Sequence, residues 1–365
     1  MRVHGRRFTA LLPAALITFA CAEPSVLTPG AAGQASLGGA AVLPFDVFGL
    51  HTPGLPGARC AAPPYRQFDF WVGEWEVFDP TGTSFLGINI VKSELGGCAV
   101  GENWTGAGGS PGRSINFYDA SIDRWTQMWV AAGGGLGGVL LLEGGIVDGS
   151  MQLSGRRVFA DFGGFTVADT ITWTLHPDGT VQQFWLTTPN VGIFDGRYRS
   201  RPGVTPPEEV ITPTCGARPS NRELDFLLGT WTLRPGDSRS DDGGAVTSIV
   251  ATDLSDCLIE ERITGPDAYE GWSFAAWSAI DHRWHRTYVD NAGRRLVLHG
   301  GMEFGAMVMS GPHRSASGVT IDVRITWRPL DDGDVEQRWE VSRDGGATWQ
   351  FDRTVRYVAS RSVRD

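Results

Sequence analysis

FDFWVGEW at residues 68–75 and LDFLLGTW at residues 224–231 are one phrase written twice, with Asp, Phe, Gly and Trp in the same places. The copies lie 156 residues apart, about the size of a small domain, and text repeated at that spacing signals an architecture of repeated units. The correspondence continues past the phrase. Ser114, Trp125, Met151, Gly155, Trp173, Gln183 and Trp185 are answered, in the same order, by Ser273, Trp284, Met307, Gly311, Trp327, Gln337 and Trp339. So many ordered matches point to an internal duplication.

Each copy reads as strand and turn. ITWTLHPDGTVQQFWL and VRITWRPLDDGDVEQRWEV mix β-branched and aromatic residues with polar ones and are broken at Asp-Gly, while no segment holds a 3.6-residue period for three turns. Evenly spaced antiparallel strands in about 140 residues predict a closed barrel or a sandwich. The expected organisation is a first unit at 60–200, a linker at 201–214 and a second unit at 215–360. Residues 23–59, rich in Ala, Gly and Pro, read as a tether.

Before the tether, Arg2, Arg6 and Arg7 precede an apolar run from Phe8 to Phe19 and small residues at Ala20-Cys21-Ala22. That is the layout of a secretory signal over residues 1–22, too short for a transmembrane helix. Thr18-Phe19-Ala20-Cys21 also resembles an imperfect lipoprotein box, so Cys21 is either a lipidation site or removed with the signal. The other four cysteines follow the repeat: Cys60 and Cys215 stand just before the phrase, and Cys98 and Cys257 about thirty residues after it. In an oxidising compartment this suggests the bridges Cys60–Cys98 and Cys215–Cys257. The expected location is secreted or periplasmic, with membrane contact only through an N-terminal anchor.

The net charge is −10, and Lys92 is the single lysine. Nucleic acid and anionic lipid both demand a concentrated basic surface, which argues against them as partners. No nucleophile elbow, P-loop, dinucleotide fingerprint or zinc motif appears, so no cofactor is expected.

Gly73-x-Trp75 and Gly229-x-Trp231, each opening an all-β unit, resemble the Gly-x-Trp signature of lipocalin-like (calycin) barrels. The fuller pattern, with Asp-Phe, a Gly-Gly-Cys or Ser-Asp-Cys turn and Arg-Trp before an aromatic strand, is similar to a family of secreted bacterial proteins of uncharacterised function. The resemblance implies two tandem lipocalin-like antiparallel β-barrels, with Trp75 and Trp231 packing structurally across the closed ends. It extends distantly to nitrobindin-like haem barrels, but His176, the one histidine of the first unit, lies in a Leu-His-Pro-Asp-Gly turn, a poor place for a lumen ligand. His282 and His285 fall on opposite strand faces; a His285/His299 metal site weighs less than two ordinary histidines. Ser342-Arg343-Asp344-Gly345-Gly346-Ala347-Thr348-Trp349 has the Asp-box pattern and reads as a hairpin turn.

Glu102 and Glu261 recur four residues after Cys98 and Cys257. A carboxylate facing an apolar lumen would have a raised pKa and could hold a ligand or act as acid or base; the plainer and favoured alternative pairs it with an Arg, such as Arg156 or Arg314, or leaves it on the solvent face. Alternation places Ser114, Asn116 and Tyr118 on one strand face, and likewise Trp125, Gln127 and Trp129, and Gln183 with Trp185. The units disagree at matching sites: Asn116 becomes Ala275, Gln127 becomes Arg286, Trp129 becomes Tyr288 and Glu143 becomes His299. The expectation is non-covalent binding of a small, largely apolar molecule in one or both barrels, with Glu102, Asn116, Gln127, Trp129 and Gln183, or Glu261, Arg286, His299 and Gln337, as contacts. The alternatives are an enzyme using Glu102 or Glu261, and a non-catalytic envelope scaffold.

Overall fold

The computed structural model describes residues 58–132, 138–189, 192–211, 215–236, 246–314 and 319–360. The signal segment, Cys21 and the tether through residue 57 lie outside the described residues. The first repeat contributes β1 (Gly73–Phe78), β2 (Phe85–Glu94), β3 (Ala99–Gly106), β4 (Pro111–Asp119), β5 (Arg124–Ala131), β6 (Val139–Val147), β7 (Ser150–Phe159), β8 (Phe165–Leu175), β9 (Val181–Thr188) and β10 (Gly192–Ser200). Consecutive strands pair antiparallel, and β10 returns to β1, with Trp75 opposite Ser200 and Phe78 opposite Arg197. The sheet is thereby a closed barrel with no free edge.

The second repeat does the same with β11 (Gly229–Pro235), β12 (Val246–Asp253), β13 (Leu258–Gly265), β14 (Tyr269–Ser278), β15 (Arg283–Asp290), β16 (Arg295–Glu303), β17 (Ala306–Arg314), β18 (Thr320–Pro329), β19 (Val335–Ser342) and β20 (Gln350–Ala359). Trp231 opposite Ala359 closes it. The chain is therefore all-β, two tandem antiparallel barrels with only short 3-10 turns beside them. Each barrel has ten strands, against the eight of lipocalins.

Alternation dictates these strands. In β18, Ile321, Val323, Ile325 and Trp327 are buried, and the residues between them are not. The β6–β7 turn is Asp148-Gly149, with φ of 48° and 80°, and the matching β16–β17 turn is Phe304-Gly305, with 48° and 77°. Two successive positive φ values define the tight hairpin whose twist matches that of its strands. Just before these turns the strands come so close that a Cβ on Gly144 would lie 1.9 Å from the Gln152 carbonyl oxygen, and one on Gly300 would lie 1.9 Å from that of Val308.

The repeated phrase closes one end of each barrel. Phe68 and Trp71 enter the first lumen: Phe68 stacks on Trp71 at 4.8 Å and meets the edges of Trp125 at 5.4 Å and Trp173 at 5.1 Å. Leu224 and Leu227, both buried, take those places in the second. Trp75 Nε1 donates to the Trp71 carbonyl at 2.9 Å and Trp231 Nε1 to that of Leu227 at 2.7 Å, tying the first strand to the turn that plugs the barrel. Cys60–Cys98 and Cys215–Cys257 are disulfides, with Cα atoms 4.9 Å and 4.8 Å apart. They span 38 and 42 residues, loops whose closure is worth about 4 kcal/mol each in the chain-entropy account.

The barrels share a core. On the outer face of the first, Ala99, Ile115, Phe117, Met128, Val130 and Val139 are buried. They join one apolar cluster with Leu258, Trp272, Phe274, Ala276 and Val289 of the second. Trp272 lies on Gly101, where a Cβ would be 2.7 Å from its ring, and Arg262 covers its other side with Cζ 4.0 Å from the ring centroid. The β14–β15 turn reaches the β7–β8 turn, where the Ala160 amide donates to the Ile280 carbonyl at 2.8 Å.

Candidate functional site

Register settles which side chains enter the first lumen. Glu102 lies opposite Ser114, Asn116 opposite Gln127, and Trp173 opposite Gln183, all on the inward parity of β3, β4, β5, β8 and β9. Above the aromatic plug they form a polar belt joined by Asn89 of β2 and Tyr198 of β10. Gln127 Nε2 donates to Asn116 Oδ1 at 2.7 Å, Asn116 Nδ2 to Ser114 Oγ at 2.9 Å, and Ser114 Oγ to Glu102 Oε2 at 2.7 Å. From the other side Asn89 Nδ2 donates to Glu102 Oε1 at 2.8 Å. Tyr198 hydroxyl donates to Gln183 Oε1. From Gln127 through Asn116 and Ser114 each donor runs toward the carboxylate, so that arm of the belt is polarised in one direction, while Tyr198 donates away from it to Gln183.

Two acceptors of this belt have nothing to accept. Asn89 Oδ1 and Gln127 Oε1 are buried and without a hydrogen-bond partner, a state worth about 1–3 kcal/mol to relieve. Glu102 is 4% exposed. Among the described residues no cation pairs with it: Arg113 acts on it only through space, being held by Asp253 at 2.9 Å and Glu209 at 2.7 Å. Burial therefore pushes the carboxyl from 4.5 to about 7, against the opposing hydrogen bonds of Ser114 and Asn89 and the more distant charge of Arg113. Burial, with the Glu102 charge beside it, also holds the Tyr198 phenol well above its usual value.

Beyond the belt stand aromatic side chains. Trp104, Trp129, Trp185 and Phe194 face inward and are only half-buried. Trp104 meets the edge of Phe194 at 5.9 Å, and Trp129 lies flat on Gly112, where a Cβ would come within 2.2 Å of the ring. Trp185 Nε1 and Thr187 Oγ1 donate to Asp169 Oδ1 at 2.9 Å and 2.7 Å, and Arg157 grips the same carboxylate with Nε at 2.7 Å and Nη2 at 2.9 Å.

The second lumen uses the same positions differently. Glu261, 2% exposed, accepts from Ser248 Oγ at 2.6 Å and Tyr357 hydroxyl at 3.1 Å, and it is ion-paired with Arg286 through Nη2. The guanidinium also lies over Trp327, with Cζ 5.1 Å from the ring centroid. Gln337 is bonded to Tyr357 at 3.4 Å and to Trp339 Nε1 at 2.9 Å. Tyr269 and Tyr288, each 4% exposed, join hydroxyl to hydroxyl toward the mouth. What remains among Arg286, Tyr288, Trp327, Gln337 and Trp339 is a cavity of about 10 Å³, room for one water.

Two sequence expectations are corrected here. His299 sits opposite His285, as the hairpin implied, but one residue away Arg286 and Leu298 face inward, so both histidines point outward and His299 is exposed. His285 is held by Asp281 at 2.9 Å, and no group of three or more metal-ligating side chains occurs among the described residues. Glu261 is paired with an Arg, as the plainer alternative had it, but the partner is Arg286; Arg156 and Arg314 are exposed and pair with neither glutamate, and both glutamates are buried rather than solvated. Asn89 and Ser248 were not foreseen, because β2 and β12 carry no repeated motif to mark them.

No protein-family model and no curated protein matches the sequence. Among solved structures, the chain is similar to a "putative outer membrane protein" from Bacteroides fragilis at 8% identity, over 79% of this chain and 95% of that one, with a TM-score of 0.17. It is also similar to a protein of unknown function of the DUF3598 family from Nostoc punctiforme at 11% identity, over 82% and 100% of the two chains, with a TM-score of 0.18.

Proposed function

We propose that the protein is an exported binding protein, lipocalin-like in use, that holds a small molecule in its first barrel. The observation carrying this reading is the unfilled hydrogen-bonding demand of the polar belt: a buried carboxyl without a cation, flanked by the unpartnered Asn89 Oδ1 and Gln127 Oε1. Buried polar groups are ordinarily satisfied, and a ligand entering past Trp104, Trp129, Trp185 and Phe194 would meet apolar walls and then these acceptors, the usual composition of a small-molecule site. The second barrel, whose buried Glu261 already holds Arg286 as its cation, serves as its structural partner. The N-terminal basic and apolar segment and the two disulfides support export, and Cys21 is the residue a lipid anchor would use.

Native mass spectrometry of the full chain purified from its own envelope fraction tests this. A stoichiometric small molecule is expected, lost in Gln127→Leu, which removes one open acceptor. A protein that carries nothing, and whose tryptophan emission no small molecule alters, would refute it.

A further inference from the structure

Resting on the reading of the first barrel as a binding site, we propose that its ligand is a small organic cation of the guanidinium, amidinium or ammonium class, seated against Glu102 as Arg286 is seated against Glu261. The second barrel is the template. Glu261 lies opposite Ser273 as Glu102 lies opposite Ser114, Arg286 opposite Ala275 as Gln127 opposite Asn116, and Trp327 opposite Gln337 as Trp173 opposite Gln183. At these shared positions the second barrel supplies its own cation, which pairs with the carboxylate and covers the indole of Trp327. In the first barrel the same strand position carries Gln127, whose amide turns aside to Asn116. The carboxylate and the indole are kept and the guanidinium is not.

The remaining groups ask for a donor-rich positive charge. Asn89 Oδ1 and Gln127 Oε1 present carbonyl oxygens with no donor, and both side chains are 1% exposed or less. An amidinium offers N–H groups to both while its charge meets Glu102. An anion would face a carboxylate and two carbonyl dipoles of the wrong sign. The inward indoles of Trp104, Trp129 and Trp185 provide π faces along the approach, favourable to a desolvated cation.

The electrostatics impose a pH signature. Glu102 is faced by Asn89 from β2, Ser114 from β4 and Tyr198 from β10, with Arg113 acting at longer range. Burial brings Glu102 to about 7, where its charge changes near neutrality, while Tyr198 is held far higher. A cation that binds the ionised form displaces the proton, so its affinity rises as pH rises through 7 and then levels off.

Benzamidine and its neutral isostere benzamide are the probes, titrated into the full chain by calorimetry at pH 6 and pH 8. Benzamidine is expected to bind at least about tenfold more tightly than benzamide at pH 8, and about tenfold more weakly at pH 6 than at pH 8. Asn116→Ala with Gln127→Arg copies the second barrel, brings its own cation and is expected to lose benzamidine. Glu102→Gln, nearly isosteric, is expected to lose the preference for benzamidine over benzamide. Benzamide binding as well as benzamidine, or benzamidine unaffected by these changes, overturns the cationic assignment. A neutral molecule in the native mass spectrum overturns it too, yet leaves the binding function standing; an empty protein that binds neither probe removes both.

Discussion

Replacing Glu102 with Gln should make the folded protein more stable at pH 8 and not at pH 5. In the unfolded chain the carboxyl titrates at its usual 4.5; in the barrel, burial raises it to about 7. At about 1.4 kcal/mol for each tenfold change in proton affinity, keeping Glu102 ionised inside the barrel costs about 3 kcal/mol. The folded state holds the extra proton between those two values, so the contribution of Glu102 is fully present below pH 4.5 and is lost as pH rises through 7. Glutamine keeps the shape and does not titrate. The stability difference, variant minus parent, should therefore grow by about 2.5 kcal/mol from pH 5 to pH 8. Urea denaturation followed by tryptophan emission reads it, and taking the difference cancels every other titrating group. An equal difference at both pH values would show that Glu102 is not desolvated as the geometry requires, and the polar belt would lose its central argument.

Arg286→Met should cost about 3–5 kcal/mol in urea denaturation, because it leaves Glu261 buried without its cation; Gln127→Met at the matching site, which strands no charge, should cost under about 2 kcal/mol, and equal losses would contradict the asymmetry between the lumens. Gly144→Ala and Gly300→Ala should each destabilise by at least about 2 kcal/mol, since the new methyl would press on a carbonyl oxygen fixed in the adjacent strand. Thermal unfolding unchanged by either substitution would mean that the strands do not approach as described.

The sequence displayed the duplication and the strand content openly, because alternation and Asp-Gly turns are local properties. Cysteine pairing was legible for the same reason, each bridge lying within one copy. Glu102 and Glu261 stood out as repeated acids, yet their surroundings depend on partners far along the chain: Tyr357, 96 residues from Glu261, becomes a neighbour only when β20 returns to β11. The number of strands was hidden likewise, since closure is a relation between the ends of a repeat. His299 shows the limit of reading by neighbourhood. Its pairing with His285 was inferred correctly, but a shift of one residue decides between lumen and exterior, and the parity was fixed only by Arg286 and Leu298 facing in. The filling of the second lumen could not be read from Arg286 alone, because the size of what remains depends on Tyr288, Trp327 and Trp339 together.

The buried outer flanks have a consequence for ancestry. Ala99, Ile115, Phe117 and Val130 of one barrel answer position by position to Leu258, Phe274, Ala276 and Val289 of the other, which is the self-complementary surface of a two-fold symmetric dimer. A lone barrel of this kind would have met an identical copy through that flank. Joined in one chain, the two units keep that contact and are free to differ. One lumen could then take in Arg286 while the other kept Gln127 at that place, a divergence closed to a homodimer, in which every substitution is made twice.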